Sequence, residues 1–185
     1  MKDNYFDIIK PASLEWNIKF TEWLIKNYLD EHMKILDLGC GQGNIVIQLN
    51  KFGYDAEGYD YPEVDLEKPL KFENNSCDFV ILKFVIEHVN DINLLIKEVH
   101  RILRYNGKVL ILTDDYPRQV KGFWEDPTHI TPMTLKRMEN LAKLNDFKII
   151  TLRRWRNVPY LWRYNLNAFD FVFPFSKQLL GVFEK

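Results

Sequence analysis

Three glycines at alternate positions, directly after a short apolar run, constrain the fold of this chain more than any other feature. Residues 35–38 predict a buried strand that contains Asp37, and Gly39, Gly41 and Gly43 follow it. Glycine has no Cβ and readily adopts positive φ, so a ligand can lie directly against the backbone of such a turn. A helix that begins near Asn44 would point its unpaired N–H groups at the same place. We therefore expect a strand, a ligand-binding turn and a helix, in that order.

Hydrophobic periodicity elsewhere predicts that strands and helices alternate along the chain. The predicted helices cover 14–29, 45–52 and 92–104, and the predicted strands cover 34–38, 54–59, 78–82, 108–113, 147–152 and 178–184. Asn106 and Gly107 predict a turn, and Thr131 and Pro132 predict the N-cap and first residue of a further helix. This order favours an α/β fold with a mostly parallel central sheet and helices on both faces.

Composition narrows the class of protein. With 185 residues, 46% of them hydrophobic, the chain is predicted to form one domain over 1–185 with a substantial core. Its 25 basic and 26 acidic residues nearly cancel, which gives no strong signal for nucleic-acid binding. Two cysteines without metal-ligand spacing predict neither disulfides nor a metal site. The absence of a signal peptide and of a long apolar run leads us to expect a cytoplasmic protein.

The spacing of the glycines separates two kinds of nucleotide-binding turn. Dinucleotide-binding turns read G-x-G-x-x-G, which would need glycine where Asn44 stands, so an NAD-linked oxidoreductase is disfavoured. The G-x-G-x-G form after Asp37 and Leu38 resembles motif I of the class I S-adenosylmethionine (SAM)-dependent methyltransferases. The resemblance implies a Rossmann-like fold, SAM as the cofactor and methyl transfer as the reaction.

Further segments resemble this family in the same order, over roughly residues 30–115. Asp60 would accept hydrogen bonds from the ribose hydroxyls, 64–72 would lie beside the adenine, and 84–89 would lie beside the methionine moiety. The cofactor-binding residues implied by the resemblance are Asp37, Gly39, Cys40, Gly41, Gly43, Asp60, Tyr61, Asp65, Leu66, Lys83, Phe84 and His88.

One region departs from the family pattern. Only 17 residues separate Asp60 from Asp78, where the full fold has a helix, a third strand and another helix. The third-strand region is therefore predicted to be truncated, to a short strand near 64–66.

A loop after the strand at 108–113 carries the candidate catalytic residues. Residues 126–132 resemble the D-P-T-H-x-x-P stretch of type 11/12-like methyltransferases, some of which are thought to act in glycan biosynthesis. A sugar hydroxyl attacks a methyl group better when a base removes its proton, and His129 has a suitable intrinsic pKa. Asp114 and Asp115 are rival bases. The alternative is that His129 only braces the loop or caps the next helix.

Residues 155–175 form an aromatic and basic segment between the last two predicted strands. Eight of these 21 residues are aromatic, and no acidic residue occurs from 147 to 169. Such a segment suits substrate recognition as a lid, with stacking on sugars and pairing with phosphate, or contact with a membrane surface or with nucleic-acid bases. A homodimer interface is the alternative.

We therefore predict a SAM-dependent methyltransferase with a small-molecule acceptor, and O-methylation of a sugar or a phosphate-linked glycan as the first choice. An N- or C-methyltransferase, an RNA methyltransferase and a SAM-binding partner subunit without activity remain open alternatives.

Overall fold

The computed structural model describes residues 13–155 and 177–185, which form a six-stranded sheet with helices on both faces. The strand order is β2-β1-β3-β4-β6-β5; the first four strands pair in parallel, and β6 is antiparallel to both of its neighbours. The strands are β1 (Lys34–Leu38), β2 (Asp55–Tyr59), β3 (Cys77–Lys83), β4 (Leu103–Asp114), β5 (Lys148–Trp155) and β6 (Gln178–Glu184). The predicted α/β fold is therefore confirmed.

The helices bury the two faces of this sheet because alternate strand residues point to opposite sides. The helices are α1 (Leu14–Tyr28), α2 (Asn44–Lys51), α3 (Ile92–Ile102), α4 (Val120–Glu125) and α5 (Leu135–Leu144). One face packs Ile35 and Ile81 against α1 and α2. The other packs Leu36 and Val80 against α3 and α5. Two short 3-10 turns, Ile86–His88 and Tyr116–Arg118, follow β3 and β4 at the carboxyl edge of the sheet.

Two local predictions were wrong. Residues 60–76 contain no strand, so the proposed short strand near 64–66 is absent from this described loop. The helix expected from Thr131 begins at Leu135 instead, and Thr134 is its N-cap, accepting a hydrogen bond from the Arg137 amide at 3.0 Å. The hydroxyl of Thr131 is buried and donates to the Val89 carbonyl at 2.7 Å.

The turn predicted at Asn106 lies inside the bounds of β4. Asn106 has a φ of 62°, and the pairing with β3 jumps from Leu103 to Lys108. Regular pairing thus begins at Lys108, where the sequence predicted the strand to begin.

Most of the segment 155–175 lies outside the described residues, and its predicted roles as a lid, membrane contact or dimer interface stay predictions. Trp155 ends β5 and is buried, with its ring 4.4 Å from that of Trp23 on α1. In the part of the chain that the structure describes, no helix is long and apolar enough to cross a bilayer.

Candidate functional site

A cavity of about 960 Å³ opens at the carboxyl ends of β1, β3 and β4. All the residues that the sequence predicted as a site line it, with the exceptions of Gly43 and the rival base Asp115. Gly43 is instead the N-cap of α2, with a φ of 69°, and its neighbours Gln42 and Asn44 face the cavity. The carboxyl edge of a parallel sheet is where α/β folds bind ligands. The predicted cofactor and acceptor residues thus share one cavity, and their individual roles stay predictions.

The glycine turn is held open by backbone bonds and close packing. Gly39 and Cys40 donate their amides to the Tyr59 carbonyl at 2.7 and 3.2 Å, which ties the turn to the end of β2. Gly39 has a φ of 79°, and a Cβ built there would lie 2.4 Å from Cγ2 of Val85. Only glycine fits this position, so the turn presents bare backbone to the cavity.

Asp60 joins the turn to the loop that follows β2. Its Oδ2 accepts the Gly41 amide at 2.6 Å, and its Oδ1 accepts the Tyr61 amide at 2.7 Å. Each carboxylate oxygen can accept more than one hydrogen bond. Asp60 can therefore hold the turn and still accept hydrogen bonds from a pair of vicinal hydroxyls.

Asp37 and Lys83 lie at the base of the cavity. Burial raises the pKa of Asp37 to about 7, against the opposing charge of Lys83, and Asp60 adds to the rise. Burial also lowers the pKa of Lys83, whose Nζ lies 5.0 Å from the ring centroid of Trp16 on α1. Trp16, which the sequence did not single out, thereby helps α1 to cover the cavity.

Residues 60–70 replace the missing third strand as an ordered loop. Asp65 accepts the Glu67 amide at 3.1 Å and pairs with Lys68 at 2.9 Å. Glu67 accepts the backbone and side-chain amides of Asn90 at 2.8 and 3.0 Å. These bonds fix the loop against the segment after β3, so truncation of the fold leaves this wall of the cavity intact.

The 3-10 turn after β3 holds the loop that carries His129. The carbonyl of Glu87 accepts the amides of Ile130 and Thr131 at 2.9 and 3.0 Å. The imidazole rings of His88 and His129 consequently lie 4.7 Å apart, centroid to centroid. Residues about 40 positions apart in the sequence thus form one cluster.

Hydrogen bonds determine which nitrogen of each ring carries a hydrogen. His129 Nδ1 lies 2.9 Å from the Phe123 carbonyl, which can only accept. His88 Nδ1 lies 2.9 Å from the Thr128 hydroxyl, which already donates to Asp126 at 2.6 Å. Both Nδ1 atoms are therefore donors, so the neutral form of each ring has its lone pair on Nε2, and in His129 this atom lies 3.7 Å from Oδ2 of Asp126.

Glu87 is the residue whose importance the sequence did not reveal, although it precedes His88 in the segment assigned to the methionine moiety. Its side chain is buried and lines the cavity, and Thr113 donates to Oε2 at 2.9 Å. Oε1 is buried with no hydrogen-bond partner among the described residues. Burial raises the pKa of Glu87 to about 8, and the carboxylates of Asp114 and Asp126 contribute to the rise. The motif that contains Glu87 does not reveal that its side chain is buried.

The rival bases Asp114 and Asp115 have different environments. Asp114 lines the cavity and accepts a hydrogen bond from Gln119 at 2.8 Å, while burial raises its pKa. Asp115 is only 1% exposed and pairs with Arg154 at 2.8 Å, and it does not line the cavity. Asp115 is therefore an ion-pair partner outside the cavity, and Asp114 is the better placed of the two rival bases.

Carboxylates dominate the charge of the cavity. Lys83 is the one lysine or arginine among its described lining residues. The acidic side chains of the lining are Asp37, Asp60, Asp65, Glu67, Glu87, Asp114, Glu125 and Asp126. The raised pKa values of Asp37 and Glu87 leave these two partly protonated near neutral pH, and the other acidic groups supply most of the negative charge. Such a lining attracts cations, including a ligand with a sulfonium and an ammonium group. A turn with glycine at three of its five positions, a carboxylate oriented by that turn and an acidic lining together fit SAM.

Comparison with known proteins agrees with this geometry. A family model described as a methyltransferase domain matches residues 16–152. A SAM-dependent methyltransferase from Archaeoglobus fulgidus has the same fold, with a TM-score of 0.77 at 16% identity over 94% of this chain and 95% of that chain.

Two curated relatives are similar in sequence over shorter stretches. The mitochondrial ubiquinone biosynthesis O-methyltransferase of Rattus norvegicus is 30% identical over 158 residues, which are 65% of this chain and 46% of the relative. The demethylmenaquinone methyltransferase of Staphylococcus aureus is 33% identical over 107 residues, 46% of this chain and 44% of the relative. The chain spans less than half the length of either relative.

Proposed function

Because this chain belongs to the class I SAM-dependent methyltransferases, we propose that it transfers a methyl group from SAM to a hydroxyl of a small-molecule acceptor. The acceptor class that we propose first is a sugar or another small polyhydroxyl compound. The observation that carries this proposal is the single cavity, which is lined at once by the glycine turn and by the candidate bases His129 and Asp114.

The cofactor end of the cavity is the side formed by β1, β2 and β3. There Asp60 would accept hydrogen bonds from the ribose hydroxyls, and the turn at Gly39 and Gly41 would lie against the nucleoside. Asp65 and Leu66 would border the adenine. SAM, once bound there, supplies a methyl group on a sulfonium, which is already an activated leaving group. The protein's own contribution is to orient the acceptor and exclude water.

The acceptor end lies where the His129 loop meets β4. The Nε2 lone pair of His129 can accept the hydroxyl proton, because Nδ1 is held as a donor to Phe123. Asp114, with its raised pKa, is the second candidate base in the same cavity. The polar groups of Asp126 and Thr128 beside them suit an acceptor with several hydroxyls. The acidic lining disfavours a phosphate group at this end, so the phosphate-linked acceptor is the weaker choice.

N-methylation of an amine is a second candidate function. The carboxylate-rich lining, with Lys83 its one described lysine or arginine, would stabilise a cationic ammonium as well as the sulfonium. A protonated amine loses its proton more easily than an alcohol, and the neutral amine attacks through its lone pair, so an amine acceptor depends less on a base.

The test is calorimetric titration of the purified chain with SAM and S-adenosylhomocysteine, followed by methyl-transfer assays on an acceptor panel. The panel holds sugars and sugar nucleotides, small amines, and phenolic quinone precursors, the last because of the names of the two relatives. Methylation of a sugar hydroxyl supports the proposal. Methylation of amines alone supports the second candidate. SAM binding without any transfer contradicts both and favours a partner-dependent subunit.

A further inference from the structure

Glu87, His88 and His129 each offer one ligand atom for a metal ion, and these atoms all lie within 4.8 Å of one another. Ligand atoms around a tetrahedral zinc lie about 3.4 Å apart, given bonds of about 2.0–2.2 Å. A movement of about an ångström or less per side chain would therefore close the cluster around one ion. The sequence predicted no metal, since His88 and His129 are separated by 40 intervening residues.

Both histidines have the supporting contacts that metal-ligating histidines need. Such histidines donate their second ring N–H to a carbonyl, a carboxylate or a comparable acceptor, which fixes the tautomer and the ring orientation. His129 donates to the Phe123 carbonyl, and His88 donates to the Thr128 hydroxyl, which Asp126 orients in turn. In its neutral form each ring therefore offers the lone pair of Nε2 to a metal, and in His129 the ion would replace a proton that Asp126 Oδ2, 3.7 Å away, would otherwise favour.

Glu87 supplies an independent indication of a cation. A buried polar atom without a partner is rare and costly. As a carboxylate oxygen, Oε1 of Glu87 has no donor among the described residues, and as a protonated acid it would have no acceptor. A cation beside Oε1 satisfies this atom. It would also offset the charges of Asp114 and Asp126, which act on Glu87.

We propose that Glu87, His88 and His129 bind a divalent first-row transition-metal ion, with Zn²⁺ as the probe, at the acceptor end of the cavity. Two imidazoles and one carboxylate are a common zinc ligand set that leaves a fourth position open. All three residues line the cavity, so the open position faces its contents. A hydroxyl bound there would lose its proton more easily. This last role rests on the proposed function, whereas the binding itself does not.

With the ion bound, His129 is a ligand and the ion lowers the pKa of the acceptor hydroxyl. Without the ion, His129 accepts the proton directly. Methyl transfer should require the metal in the first case and not in the second, so an activity assay with and without the ion distinguishes them.

The experiment uses tag-free, chelator-treated protein and titrates it with Zn²⁺ by calorimetry and with Co²⁺ by visible absorption. We expect one ion per chain, with binding weakened at least tenfold in both Glu87→Gln and His129→Gln. Glu63→Gln and His32→Gln are the matched controls, since both side chains are exposed and outside the cavity. SAM titration and circular dichroism of every variant show that the fold and the cofactor end are unchanged.

Absence of stoichiometric binding by protein that binds SAM would overturn the proposal, and so would wild-type affinity in both cavity variants. Metal binding without methyl transfer to any acceptor would support the site while contradicting the proposed function. Full methyl transfer by metal-free protein would leave the binding site in place and exclude its role in the reaction.

Discussion

The carboxylate of Asp60, which follows β2, stabilises the glycine turn, since its Oδ2 accepts a hydrogen bond from the Gly41 amide at 2.6 Å. The same side chain lines the cavity. A carboxylate that the backbone has already oriented loses little conformational freedom when a ligand binds, which favours affinity. Asp60 thus couples the shape of the turn to recognition of the nucleoside.

Replacement of Asp60 by alanine is expected to weaken SAM binding by about 1–3 kcal/mol, the usual effect of losing hydrogen bonds to a charged group. Asp60→Asn, which keeps an oxygen acceptor but loses the charge, should give a smaller loss. Calorimetry with SAM measures both. Asp55→Asn, at an exposed position on β2, is the control. Equal affinity in Asp60→Ala and the control would contradict the ribose assignment.

Two glycines of the turn should respond differently to alanine. At Gly43, a Cβ meets nothing within 4 Å, so Gly43→Ala should cost only the left-handed strain of about 1–2 kcal/mol. At Gly39, the same strain is joined by a 2.4 Å contact with Val85, and crowding adds about 1–3 kcal/mol. Chemical denaturation should rank Gly39→Ala below Gly43→Ala in unfolding free energy. The opposite ranking would show that Val85 moves away easily.

Asp37 should make stability depend on pH. Its pKa is raised from 3.8 to about 7 in the folded chain, chiefly by burial, so the folded state binds a proton that the unfolded state releases. Stability is therefore lost as the pH rises from about 4 to 7, by up to about 1.4 kcal/mol per pH unit. Asp37→Asn removes this titration. The free energy of unfolding of the variant should therefore increase relative to that of the wild type as the pH rises across that window.

Denaturation curves at pH 5, 6, 7 and 8 measure the effect, with Asp55→Asn as the exposed comparison. Parallel pH profiles for the wild type and Asp37→Asn would mean that Asp37 remains ionised in the folded state.

His129→Gln is expected to lower the rate of methyl transfer by about 10²–10⁴-fold, the usual contribution of a general base. SAM affinity should not change, because His129 lies at the acceptor end. Asp114→Asn tests the rival base in the same assay, and His32→Gln is the exposed control. A full rate in His129→Gln together with a large loss in Asp114→Asn would assign the base to Asp114.

The elements that local pattern determines were predictable from the sequence. Buried strands such as Lys108–Thr113 and the turn from Gly39 to Gly43 follow from apolar runs and from glycine's conformational freedom. The start of α5 was misplaced because Thr131 and Thr134 are both good N-caps, and the choice depends on a tertiary bond from Thr131 to Val89. The meeting of His88 with His129 also depends on tertiary contacts, namely the amides that Glu87 accepts across the loop.

The burial of Glu87 and the ion pair of Asp115 could not be read from the sequence for the same reason. Glu87 and Asp115 are both acidic residues that follow a strand, and the sequence alone does not distinguish their environments. Their different environments arise from tertiary contacts, since Thr113 donates a hydrogen bond to Glu87 and Arg154 pairs with Asp115.

The antiparallel pairing of β5 with β6 also bears on how the choice of acceptor can change among relatives of this protein. Trp155 lies opposite Gln178 in this pairing, and Gln178 lines the cavity, so β6 begins at the cavity. Because Gln178 belongs neither to the glycine turn nor to the loop after β2, we expect substitutions there to change which acceptor fits the cavity while SAM binding is retained, both in natural lineages and in a mutant library limited to the start of β6.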